Sequence, residues 1–387
     1  MAIATRLGSD DLYRDPFPIY RRLRDDEPWA WSERLGVWLV SRYDDVVFVD
    51  EHPEIFTAHQ RESLAERAMG LVMIRTDGDA HRRLRAAVDG PLKRRNVRQR
   101  WSAELLGIAG ELLARIAPQG GCDLVRDFAA PFAARSLTRV IGLPEVTTEQ
   151  VVEWSGAFIA GLSNHAGDPA VWRRCDRARA EVGALVAAEV GTGGREGSVI
   201  AAMANSPLSV EEIATQVRLM LSGGFNEPWH ALTTLVWQLL RHPEIAWDVH
   251  EDSGALDAAI AETVRWLTPI GALPRQLAVD HHAGDVTLRA GDKLLALAAS
   301  ANHDERKFGD PEAFDPGRPG LGDHLAFSLG AHYCLGTYLA REQLRVAAPL
   351  LLTRLPGLRV AEPPEFTGWM FRGPEALQVR YDAVRQV

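Results

Sequence analysis

A mainly α-helical chain with a minor β region is what this sequence predicts, and three observations carry it. Two capping-box patterns, Thr147 with Gln150 and Ser209 with Glu212, mark helix starts in the middle of the chain. The stretch from Val217 to Leu240 is apolar nearly all round, as a buried helix is. Short apolar runs around Gly36 and Gly291 read instead as hairpins.

In chain order, residues 15–24 read as a short helix, and residues 28–41, with Trp29, Trp31, Val37, Trp38, Leu39 and Val40, as a hairpin turning at Gly36. A helix follows from about Asp44. The Ser209 box opens the longest helical candidate, which runs to His242-Pro243. At 1.5 Å per residue, roughly 33 residues span about 50 Å, enough to cross the molecule. Residues 286–297 read as a hairpin turning at Ala290-Gly291-Asp292. An irregular stretch rich in Pro, Gly and Asp covers 303–323, a helix covers 335–355, and residues 377–381 read as a final edge strand. There is no repeat and no long linker, and Pro and Gly are spread throughout, so one domain over 1–387 is expected.

Composition narrows the class. Lys and Arg total 43 against 52 Asp and Glu, a net charge of −9, so the chain as a whole is no polyanion binder. Apolar residues at 46% and charged residues at 25% describe a globular chain and argue against general disorder. Cys122, Cys175 and Cys334 are too few for a disulfide framework, and the odd count points to a reduced, cytoplasmic setting. No apolar run approaches the roughly 18–20 residues of a membrane span, and no signal peptide shows at the start.

The sharpest segment is Phe327-Ser-Leu-Gly330-Ala-His332-Tyr-Cys334-Leu-Gly336, followed by a helix. A Cys just ahead of a helix N-terminus has its thiolate stabilised by the dipole and by free backbone N–H groups. Gly330 and Gly336 allow a tight turn and a close backbone approach. Such a thiolate is a good axial iron ligand. Alone, Cys334 would read as a small buried hydrophobe; the pattern around it reverses that. The second segment is Glu262-Thr-Val-Arg265, whose spacing puts both charges on one helix face. Ala258, Ala259, Ile260, Val264 and Leu267 surround it, so a buried structural clamp is expected and not a catalytic pair.

Together these two segments resemble the cytochrome P450 family of haem-thiolate enzymes, and the likeness extends over nearly the whole chain. It is supported by His81-Arg-Arg-Leu-Arg85, Leu273-Pro-Arg275, Phe314-Asp-Pro-Gly-Arg318 and Phe371-Arg-Gly-Pro. The resemblance implies haem b as cofactor and a P450-like fold. It implies Cys334 as iron ligand, His81, Arg85, Arg275 and His332 as propionate contacts, and Glu262, Arg265 and Arg318 as a structural brace. It sketches a substrate pocket from residues 64–73, 158–164 and 222–226 (Ser222 and Phe225 among them), Ile270 to Leu273, and Met370. Most of these are apolar, so a small to medium hydrophobic substrate, an aromatic one included, is expected. The implied reaction is oxygen insertion or O-dealkylation. Oxidative tailoring in natural-product assembly and a non-catalytic ligand-sensing or partner-recruiting role are the rival readings.

The sequence departs from the family pattern twice. Ser328 stands where a Gly is usual; a Ser demands a more ordinary φ, so a slightly shifted loop is expected. In the central helix, Ser222-Gly-Gly-Phe-Asn226-Glu227-Pro228 puts Asn at the usual acid position and Glu at the usual alcohol position. A carboxyl can accept and donate a proton and an amide cannot, so Glu227 is the candidate acid–base group, with Asn226 orienting it and hydrogen peroxide a candidate oxidant beside oxygen. Pro228 lacks an N–H, so the helix should kink near Gly224. The basic run Arg82, Arg83, Arg85, Lys93, Arg94, Arg95, Arg98 and Arg100, against Asp89 alone, is the candidate docking face for a ferredoxin or flavodoxin-type partner; a nucleic acid is not expected.

Overall fold

Side-chain caps set the helix starts where the sequence places them. The Gln150 amide donates to Thr147 Oγ1 at 3.3 Å and the Thr147 amide donates to Gln150 Oε1 at 2.9 Å. Ser209 and Glu212 close the same reciprocal box at 3.2 and 2.8 Å. Each box satisfies two amides that no intrahelical carbonyl reaches. The computed structural model describes residues 4–384.

The central apolar stretch is not one continuous helix but two, Val210–Gly223 and Asn226–Arg241, and the kink expected near Gly224 is a full break. Gly224 (φ −120°, ψ 1°) and Phe225 (φ −101°, ψ −55°) separate them. Pro228 is the physical cause: without an N–H it leaves the Gly224 carbonyl unpartnered, and Gly224 tolerates the break.

A five-stranded sheet forms from Trp29–Ser32, Val37–Val40, Lys293–Ala296, Leu273–Leu277 and Phe56–Thr57, in that spatial order. The first pair is the expected hairpin, with Gly36 at φ 64° in its turn. The second expected hairpin does not form. Val286–Leu288 pairs with His281–Ala283. Lys293–Ala296 lies parallel to Val37–Val40 and antiparallel to Leu273–Leu277. Leu294 and Ala296 are fully buried, and a central strand position buries them where a two-stranded ribbon would not. The expected edge strand is also central: Gln378–Arg380 runs between Gly121–Asp123 and Arg359–Val360. The largest hydrophobic core lies among the helices, and two smaller ones flank the five-stranded sheet.

The Ser253–Leu267 helix carries the expected clamp. Arg265 Nε lies 2.7 Å from Glu262 Oε2, with both side chains at 0% exposure. Arg318 approaches Glu262 at 3.4 Å, the Asp315 amide donates to Glu262 at 2.9 Å, and Arg265 donates to the Asn302 and Pro311 carbonyls. Removing one member leaves buried, uncompensated charge. Glu262→Ala should therefore destabilise the fold by about 3–5 kcal/mol, read as a drop in the denaturant midpoint.

Candidate active site

The Cys334 loop is closed by its own backbone. The Cys334 amide donates to the Phe327 carbonyl at 2.8 Å, and the Thr337 hydroxyl donates to the Cys334 carbonyl at 2.8 Å. Thr337 opens the helix Thr337–Arg354, so Cys334 stands just ahead of a helix N-terminus. Burial pushes its thiol up, while the Gly336 amide and the Thr337 hydroxyl pull it down.

Ser328 does not relax the loop as expected. It keeps a left-handed φ of 57°, the region a Gly would occupy without strain. Its hydroxyl donates to Asp50 Oδ2 at 2.7 Å, and the Leu329 amide donates to the same oxygen at 3.2 Å. The other Asp50 oxygen takes Arg275 Nη2 at 2.7 Å. One buried carboxylate thus ties the Cys loop to an arginine of the cavity wall. Asp50→Ala should break both ties and leave Arg275 unpaired. We expect a lower thermal midpoint for Asp50→Ala than for Ser328→Gly, which relieves the strain and leaves the ion pair in place.

His81, Arg85, Arg275, His332, Cys334 and Glu227 all line one cavity of about 730 Å³. They come from four parts of the chain: the helix Gly78–Leu92, the helix Asn226–Arg241, the strand Leu273–Leu277 and the Cys334 loop. Arg85 donates to the Tyr333 carbonyl at 2.7 Å. His332 Nε2 lies 2.9 Å from Asp77 Oδ1. The His81 and His332 rings are 4.6 Å apart, and burial, with the His332 charge, pushes His81 down to about 4. Asp77 also accepts from the Ala58 amide at 2.9 Å. Sequence reasoning missed Asp77 and Asp50 as parts of the site. Asp77 had a visible signal, standing directly before the helix Gly78–Leu92 that carries His81 and Arg85.

Glu227 lies in the first turn of the Asn226–Arg241 helix. Neither of its carboxyl oxygens has a hydrogen-bond partner among the described residues. Burial pushes its pKa up to about 7. Asn226 does not orient it. Its amide donates to Ser155 Oγ at 2.9 Å, toward the helix Thr148–Leu162, and it does not line the cavity. Successive helical residues point about 100° apart, which sends the neighbours to different surroundings. Phe225 likewise packs in the core, at 4% exposure, and does not line the cavity. Ser222, Ile270, Leu273 and Met370 do line it, with Met69 and Met73 from the 64–73 segment. From 158–164 only Leu162 and Ser163 reach it; Phe158 is core.

This donor set fits an iron porphyrin. It offers one thiol, apolar walls, and two arginines and two histidines grouped where a pair of carboxylates would need charge-assisted bonds. The basic run divides. Arg82 pairs with Asp79, Arg83 with Glu212, and Lys93 with Asp89. Arg98 pairs with Glu342 and Arg100 with Glu196, so the field of the run is smaller than its sequence suggests, and Arg94 and Arg95 are left with no ion pair among the described residues.

A family model for cytochrome P450 matches residues 198–356. The steroid C26-monooxygenase of Mycolicibacterium smegmatis is 31% identical over 377 residues, covering 93% of this chain and 91% of that protein. The nocardicin C N-oxygenase of Nocardia uniformis is 31% identical, covering 96% of this chain and 97% of that protein. The crystal structure of CalO2 superposes with a TM-score of 0.87 at 28% identity, covering 98% of this chain and 99% of that one.

Proposed function

This chain belongs to the cytochrome P450 family, and from that premise we propose that it is a tailoring monooxygenase acting on a preassembled, largely apolar organic molecule. The observation that carries the reading is a single apolar cavity lined by both the Cys334 thiol and the unpartnered Glu227 acid. Relatives named for oxidising nocardicin C and a steroid carbon favour an assembled substrate over O-dealkylation of a small aromatic.

Bound haem b supplies the oxidising chemistry. Cys334 would be its sulfur ligand, and His81, Arg85, Arg275 and His332 would hold its propionates. The apolar walls at Ile270, Leu273 and Met370 would hold the substrate and exclude water. Glu227 would be the proton-handling group. With hydrogen peroxide as oxidant, its carboxylate would accept a proton from one peroxide oxygen and return it to the other, so that one peroxide oxygen leaves as water and the other ends in the substrate as its new hydroxyl. With oxygen and electrons, an acidic redox partner would dock on the face bearing Arg94 and Arg95. No helix among the described residues is long and apolar enough to cross a membrane.

The test is product mass after turnover of the purified holoprotein with a ligand chosen by its low-to-high-spin haem shift. Gain of one oxygen supports tailoring by oxygen insertion. Loss of a methylene returns the reading to O-dealkylation, and loss of two hydrogens to oxidative coupling. Spin shifts with no product under either oxidant would overturn the reading of this cavity as a catalytic site.

A further inference from the structure

Arg75 is a charged residue of the cavity that neither the propionates nor the proton chemistry employs. Arg75 lines the cavity and is only 9% exposed. Its Nε has no hydrogen-bond partner among the described residues. Its Nη1 reaches the Pro274 carbonyl at 3.4 Å, a long and weak bond. Every other arginine discussed on this wall is answered: Arg275 by Asp50 at 2.7 Å, and Arg85 by the Tyr333 carbonyl at 2.7 Å.

The position of Arg75 is built and not incidental. It closes the short turn Met73–Arg75, whose Met73 amide donates to Gln216 Oε1 at 2.9 Å. Gln216 is fully buried on the helix Val210–Gly223. The Thr76 hydroxyl locks the other end of the turn onto the Met73 carbonyl at 2.9 Å. The like charge of Arg275 nearby raises the cost of this arrangement, and burial with that charge pushes Arg75 down to about 10, so it stays cationic at neutral pH. A buried cation without an anion is expensive to keep. No carboxylate among the described residues pairs with it, and the carboxyl oxygens of Glu227, which lines the same cavity, have no hydrogen-bond partner among those residues.

We propose that Arg75 is the anion-recognition residue of the cavity, and that the substrate presents a carboxylate to it. The guanidinium fork can take a carboxylate through two parallel bonds, and apolar residues that line the same cavity, Met69, Met73, Ile270, Leu273 and Met370, take the rest of the molecule. The carboxylate end is thereby fixed, which sets which carbon lies nearest the reacting centre. The inference rests on the reading of this cavity as the haem and substrate site. A haem propionate offers the same chemistry as a substrate carboxylate, and the experiment separates the two sources.

The holoprotein is titrated with matched acid and amide pairs, dodecanoic acid with dodecanamide and 4-methoxybenzoic acid with 4-methoxybenzamide, following the haem spin shift. Wild type should bind an acid about 10- to 100-fold tighter than its amide, the range of a charge-assisted bond. Arg75→Gln should erase that preference while amide affinity, haem content and reduction potential stay at wild-type values, and Arg75→Lys should restore part of it. A wild type that prefers no acid over its amide overturns the proposal. So does an Arg75→Gln variant that loses haem or shifts in potential while keeping the preference, because Arg75 is then a propionate contact. A wild type that takes up no haem, or whose spin state answers no probe, refutes the reading of the cavity itself and is told apart by that.

Discussion

Cys334→Ser is expected to abolish the thiolate-type spectrum of the reduced carbon monoxide adduct. The argument is one of placement. Cys334 is the one cysteine of three that lines the cavity. Cys175 is buried between helices and donates to the Ala157 carbonyl at 3.1 Å. Cys122 lies in the strand Gly121–Asp123, where burial pushes its thiol up to about 11. Neither can reach a ligand held by His81, Arg85 and Arg275. Cys122→Ser and Cys175→Ser should therefore keep the full spectrum. A serine hydroxyl is a poor substitute for a thiolate at iron, because it is harder and far less easily ionised. Oxidation of a bound substrate should fall with the spectrum. An unchanged band in Cys334→Ser would place the axial ligand elsewhere and remove the main support for the site.

What the sequence disclosed and what it hid follow from the range of the forces involved. Caps, glycine turns and the effect of Pro228 are local, so the Thr147 and Ser209 boxes and the break near Gly224 could be read from neighbours in the chain. The Cys loop and the buried Glu262–Arg265 pair were legible for the same reason. Strand partners are non-local. Residues 286–297 alternate like a hairpin, yet nothing within them says that Lys293–Ala296 pairs with a strand some 250 residues earlier in the chain. Ser328 was misjudged because the residue that holds it, Asp50, is equally remote. Asn226 and Phe225 were misplaced for another reason. A resemblance supplies positions in a pattern, and the helix break turns those two side chains out of the cavity while leaving Glu227 in it.

Glu227→Ala is expected to lower peroxide-supported turnover by about 10²-fold or more, the usual scale for a positioned acid–base group. The carboxyl is buried in the cavity, and neither oxygen has a hydrogen-bond partner among the described residues. Its pKa near 7 suits a group that must accept a proton and then return it. Only the ionised form accepts, so the peroxide-supported rate should rise with pH through about 7 and lose that limb in Glu227→Gln. Stability should move the opposite way. The folded-state pKa lies above the ordinary value of 4.5, so the folded protein holds this proton more tightly than the unfolded chain does. The contribution is fully present below about pH 4.5 and is lost as pH rises through 7. Wild type should thus lose stability relative to Glu227→Gln across that window, in a denaturant series run at each pH. Asn226→Asp should leave the peroxide rate near wild type, since that side chain faces Ser155. These outcomes separate a proton shuttle from a residue kept for shape: a Glu227→Gln enzyme with the wild-type rate and the wild-type pH limb would mean that the carboxyl fills space beside the broken helix and moves no proton.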